Sequence, residues 1–252
     1  MKTVVGRSLF FAGVAVLGMY LSRLLLRTDL YLPDVGGISA FVTVFGTLYG
    51  IMAAFVVFEV WSQWNTTSRL IDKEAQGLER LFRLTLYFRD SKLTREMKGA
   101  IKTYASLVIA GKFQTVGGGQ RGLETGKAFR KISEIIREIK FDDEHDSVVF
   151  NHVIDHYGQL GQIRTERINQ SLARLPILLK TFLYVSSLFA LVTFVVMPFS
   201  SLFYGFLAVG ALGFILAMVF QLVEDLDNPF VGYFNLTPEP FERALKHIEK
   251  DY

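Results

Sequence analysis

"FGTLYGIMAAFVVFEVWSQWNTTSRLIDKEAQGLERLFRL", residues 45–84, changes character halfway along without a break. Up to Trp61 it is apolar, with Glu59 as its one charge. Beyond Trp61, Leu70, Ile71, Ala75, Leu78, Leu81, Phe82 and Leu84 recur at three- and four-residue spacings. Arg69, Asp72, Lys73, Glu79, Arg80 and Arg83 take the opposite face, the pattern of an amphipathic helix. No proline stands between Trp61 and Gly111, so nothing removes a backbone donor where the two patterns meet. The stretch predicts a helix that crosses a membrane and runs straight on into water.

Working outward, three more runs match the apolar half. A bilayer core needs about 18 or more consecutive apolar residues in a helix, because no water is present there to satisfy backbone groups. The runs are 8–26, interrupted by Arg23; 38–61, ending near Glu59; 178–199, with Lys180 at its edge; and 202–223, without charge. They fall as two hairpins, 1–61 and 178–223, around a polar stretch 62–177, with a tail 224–252. Lys2 and Arg7 precede the first run as in a signal peptide. No small-residue cleavage site follows it, so it is expected to remain as the first membrane helix. The fold class expected is an all-α membrane protein, four transmembrane helices in two hairpins around a long cytoplasmic helical bundle.

Charge orients the chain. The whole sequence of 252 residues has a formal net charge of +3, too small a surplus to suggest nucleic acid as a partner. Residues 62–180 hold 20 Lys and Arg against 14 Asp and Glu, whereas the 27–37 connection carries Arg27 alone and "MPFSS" carries no base. Basic residues stay on the cytoplasmic side, so both termini and 62–177 are expected there, in a multi-pass protein of the inner (cytoplasmic) membrane. With no cysteine, disulfides and thiolate metal sites are excluded.

Catalytic signals are missing. "QTVGGGQRG", 114–122, lacks the Gly-Lys-Ser/Thr ending of a phosphate loop and reads as a linker. Asp142, Asp143, Glu144 and Asp146 crowd oxygens as calcium prefers. Acids at a helix start also offset the macrodipole, and these are read as such a start. His145, His152 and His156 lack the Glu of an HExxH site and read as surface residues. No enzyme activity, cofactor or metal is expected.

Three features carry a family resemblance: Trp61 and Trp64 ahead of "EAQGLERL"; "RTERINQSLARLP", 164–176, before the third span; and the acids followed by "NPFVG" and "LTPEPFERALKHI" after the fourth. Together they resemble the bestrophin-like family over about 40–250. The resemblance implies a homo-oligomeric ion channel, pentameric, embedded among lipids and passing small inorganic ions through a pore lined by the second helix of each subunit. Registered on the tryptophan, it puts Val44, Leu48 and Met52 at a hydrophobic neck, with Phe55 and Glu59 further along the pore line. Independently, Val44, Leu48 and Met52 form one stripe at i, i+4 and i+8. Such a stripe gates by dewetting in a pore, or simply packs against neighbouring helices. A ring of Glu59 would favour cations. A non-conducting scaffold and a stator-like proton channel, the latter served by Thr43 and Thr47, are the alternatives.

The tail departs from the calcium-regulated bestrophins. After Pro229 no acid occurs until Glu239, so the resemblance does not carry a calcium clasp over. Glu224, Asp225 and Asp227 sit unfavourably for their own helix, whose C-terminus is the negative end of the dipole. They are expected to pair with Arg164, Arg167 or Arg174, with Pro229 ending the helix and Phe230 pinning a clasp between membrane and cytoplasmic halves.

Overall fold

In a computed structural model, which describes residues 2–26, 35–111, 123–140 and 144–250, the chain is helical throughout its regular structure. Among the described residues the helices are α1 (Lys2–Leu26), α2 (Val35–Leu86), α3 (Ser91–Ala110), α4 (Leu123–Arg137), α5 (Glu144–Leu172), α6 (Ile177–Val196), α7 (Leu202–Asp227) and α8 (Glu239–Lys250). Four helical stretches are long and apolar enough to cross a membrane, one in each of the expected runs. The 114–122 linker, Arg27, and Asp142 and Asp143 lie outside the described residues.

α2 is unbroken for 52 residues, from the apolar run into the amphipathic one. It then stops at Leu86 although no proline follows before Gly111. Arg89 takes a left-handed backbone, with φ at 57°. Asp90 caps the start of α3, its carboxylate accepting from the Lys92 and Leu93 amides at 2.7 and 3.2 Å. The cap satisfies donors that a helix start otherwise leaves orphaned.

Two compact units result. The apolar one comprises Met1–Ser62 and Arg174–Asp227; the polar one comprises Gln63–Ala173 and Asn228–Tyr252. In the apolar unit α1 packs on α7 and α6. Ala15, Met19 and Val209 are fully enclosed there, with Leu191, Phe194 and Phe199 against them. Lipid tails are as apolar as these side chains, so close backbone approach, not hydrophobic burial, holds such helices together. Glycine on α7 permits that approach.

The polar unit has an aqueous-type core. Leu78, Leu81 and Phe82 of α2, Met97, Ile101 and Tyr104 of α3, Ile132 of α4 and Leu160 of α5 are buried together. Phe230 and, on α8, Phe241, Ala244 and Ile248 close the same core. Each fully buried aliphatic or aromatic side chain here contributes roughly 1.5–3 kcal/mol. Trp64 donates its indole N–H to the Phe234 carbonyl at 2.6 Å, fixing the tail across the start of the amphipathic part of α2.

At Gly213 a Cβ would meet Ala15 Cβ at 2.9 Å, with Ala12 Cα and the Phe11 carbonyl at 3.5 Å. Backbone cannot yield as a flexible side chain does. Gly213→Val is therefore expected to lower the thermal midpoint of the detergent-solubilised protein, at a cost of about 1–3 kcal/mol. Gly13→Ala, where a Cβ meets nothing within 4 Å, should leave the midpoint unchanged.

Candidate pore helix and its anchors

The membrane part of α2 has one packed face. Tyr49 and Ser187 share a hydroxyl hydrogen bond of 2.6 Å. Phe41 and Phe45 meet the ring of Phe189 edge-on, with centroids 5.8 and 5.3 Å away. About two and three turns beyond Tyr49, Val56 and Val60 are fully buried. These contacts hold the helix against α6 and fix which side it turns outward.

The outward side is the one singled out by the stripe. Val44 is 61% exposed, Leu48 60% and Phe55 64%. Met52 is half-buried, so it stands at the edge of this face, and Glu59 is exposed. Thr43 and Thr47 are exposed on it too. Lower down, an apolar groove runs between Gly50, Ala53, Ala54, Phe58 and Trp61 of α2 and Val219 and Leu222 of α7.

Glu224 and Asp227, at the end of α7, meet a lysine where the sequence pointed to arginines. Lys180 Nζ lies 2.8 Å from Asp227 Oδ2 and 3.4 Å from Glu224 Oε2. The Tyr184 hydroxyl donates to Glu224. Asp227 Oδ1 also accepts from the Leu175 amide at 2.6 Å. The residue that opens α6 is Pro176, whose side chain makes no cap bond. Asp227 thus supplies, from another helix, the negative charge that the α6 N-terminus attracts. That accounts for Asp227 and Glu224 at a helix C-terminus: they answer groups of the neighbouring α6, not their own helix.

Arg167 and Arg164 are engaged within the polar unit. Arg167 pairs through Nε with Glu74, and its Nη2 lies 3.4 Å from the other carboxylate oxygen. The Tyr104 hydroxyl donates to the same carboxylate. Glu74 and Arg167 are both buried, joining α2, α3 and α5 within the polar unit. Burial and the neighbouring carboxylate push the Tyr104 hydroxyl far above its ordinary range, so it stays a donor. Burial alone would lower the Arg167 pKa, but Glu74 outweighs it and holds the guanidinium charged. Arg164 stacks its guanidinium on Phe129, 5.3 Å from the ring centroid.

His156 is buried rather than at the surface, whereas His145 and His152 are exposed. Its Nε2 donates to the Gly77 carbonyl at 2.9 Å. At Gly77 the Leu160 side chain of α5 lies close to α2: a Cβ would meet Leu160 Cδ1 at 2.7 Å. Glu144 and Asp146 occupy the first turn of α5, where their charge suits the helix dipole. No group of three or more metal-ligating side chains occurs among the described residues.

Four membrane-crossing helices in two pairs, with a helical polar unit inserted between the pairs, define a polytopic all-helical membrane protein. Residues 9–241 match the family described as the Bestrophin-like domain, and the chain belongs to that family. No curated protein matches it. A crystal structure of a bacterial bestrophin homologue from Klebsiella pneumoniae has the same fold, with a TM-score of 0.72 at 11% identity over 98% of both chains. Another variant of that homologue gives 0.72 at 12% identity over 97% of each chain. A further membrane-protein crystal structure gives 0.71 at 10% identity, over 100% of this chain and 97% of that one. Family and fold together support a protein of the ion-channel kind.

Glu74→Gln leaves the Arg167 charge buried with a weakened partner and should destabilise the polar unit by about 3–5 kcal/mol. The double variant Glu74→Leu with Arg167→Met should recover most of that in thermal unfolding followed by circular dichroism. His156 makes a second prediction. Burial, the largest influence, and the charge of Arg80 lower its pKa from the ordinary 6.5, against the opposing bond to Gly77. As pH falls below 6.5 the unfolded chain takes up this proton before the folded chain does. The histidine's contribution is therefore complete above that value and declines below it. His156→Gln should flatten this part of the stability–pH profile.

Proposed function

We propose that the protein is an oligomeric channel, a pentamer, that conducts small ions passively through a pore lined by α2 of each subunit. One observation carries this reading. Within a membrane-crossing segment, α2 is anchored on one face through Tyr49, Phe45 and Val60, while the opposite face, with Val44, Leu48 and Phe55, is left uncovered by its own chain. A symmetric ring of such helices turns that face toward a common axis and toward the neighbouring subunits.

In this reading Val44, Leu48, Met52 and Phe55 form an apolar neck that resists wetting. Glu59 lies at its inner end, where an acid reaches water at little cost. The basic excess of the polar stretch puts that unit and both termini in the cytoplasm, and the membrane is the inner (cytoplasmic) one. The stretch 224–230 joins the two units along the chain. Asp227 braces the foot of α6, Asp225 stands beside it in sequence, Pro229 ends the helix and Phe230 is buried in the polar core. It is the clasp through which the membrane part and the cytoplasmic part are coupled.

The test combines size and flux. The mass of the purified complex in detergent should correspond to five chains of 28.5 kDa. In liposomes the protein should pass ions down their gradient, and Leu48→Ala, which thins the neck, should raise that flux. A monomer, or tight vesicles over several salts with well-folded protein, rejects the channel.

A further inference from the structure

The uncovered face of α2 is not wholly apolar. Thr47 follows Val44 by three residues and Leu48 follows Val44 by four, so each is a surface neighbour of Val44, with Thr47 on the flank of the Val44–Leu48 stripe. Thr43 lies one turn before Thr47 on the same row. Both threonines are exposed. Their hydroxyl protons are already committed: Thr47 Oγ1 donates to the Thr43 carbonyl at 2.8 Å, and Thr43 Oγ1 to the Ser39 carbonyl at 2.9 Å. A hydroxyl that donates its hydrogen bond in this way still holds its acceptor lone pairs. Gly46 and Gly50 flank the row, and a Cβ at either would meet nothing within 4 Å, so the surface beside the row is open.

We propose that Thr47, with Thr43 one turn nearer the N-terminus, forms rings of oxygen acceptors that coordinate monovalent alkali cations and make the pore cation-selective. The inference rests on the pore reading and names the ion class for the same passage. An ion entering a narrow apolar neck loses part of its hydration shell. A cation can replace it with lone pairs from hydroxyl oxygens. An anion needs N–H or O–H donors, and the threonine protons are held by the helix backbone. No lysine or arginine occurs in α2 before Arg69, so no positive charge in its membrane part compensates an anion, and Glu59 repels one.

The absence of cysteine from the chain makes the test direct. In proteoliposomes with a potassium chloride gradient, the reversal potential of the wild type should lie on the cation side. Thr47→Val keeps the volume and removes the oxygen, and the cation-to-anion permeability ratio should fall about fivefold or more. Thr47→Ser should restore it, while Leu48→Ala changes total flux and leaves the ratio in place. Thr47→Cys introduces a single thiol, which should react with a positively charged, water-soluble methanethiosulfonate and block flux, since only a wetted thiol ionises and reacts. A conducting Thr47→Val with an unchanged ratio overturns the proposal. So does a Thr47→Cys that conducts but never reacts, because the row then faces lipid. Absence of any flux in the wild type rejects the pore itself, and the cation rings with it.

Discussion

A backbone amide entering hydrocarbon must bring its hydrogen-bond partner with it, and α2 answers that demand over a longer stretch than a membrane requires. A span needs about 20 residues; α2 has 52. The surplus carries the helix into the polar unit, where Leu78 and Phe82 become core residues and Glu74 becomes the centre of a buried polar network. One element therefore presents Val44 and Leu48 in the membrane part and organises the water-exposed part. Ser187 and Phe189 of α6 meet it in one unit, and Tyr104 of α3 and Arg167 of α5 meet it at Glu74 in the other.

Buried charge sets the second constraint. Ionised groups removed from water are tolerated when paired and hydrogen-bonded. Glu74 meets this through Arg167 and Tyr104, and Asp227 through Lys180 and the Leu175 amide. The two clusters do different work. The first cross-links three helices. The second ties the start of α6 to the end of α7.

Much of this was legible in residue order. The four spans, the uninterrupted run through Trp61 and the apolar stripe of α2 follow from hydropathy and periodicity, which report local preference. Three features were not legible. The stop after Leu86 has no glycine or proline to announce it; Arg89 adopts a left-handed backbone and Asp90 caps the start of α3. His156 reads as a surface residue by spacing, yet its ring meets the Gly77 carbonyl, 79 positions away. Glu224 and Asp227 were expected to meet arginines of the polar stretch, but Arg167 is already held by Glu74 and Lys180 is the base that α6 brings to them.

Sequence alone determined that this chain crosses a membrane four times, that a helical polar part interrupts the spans, and that α2 continues between environments. These properties follow from burial energies and backbone needs that are local to a few turns of helix, and so are written along the chain. Only the tertiary structure decided which face of α2 is covered, which base answers which acid, and which histidine is buried. Those outcomes depend on where helix ends and side chains meet across distances that sequence separation does not measure. An ion pair, a borrowed cap or a packed ring exists only once two distant segments share one place.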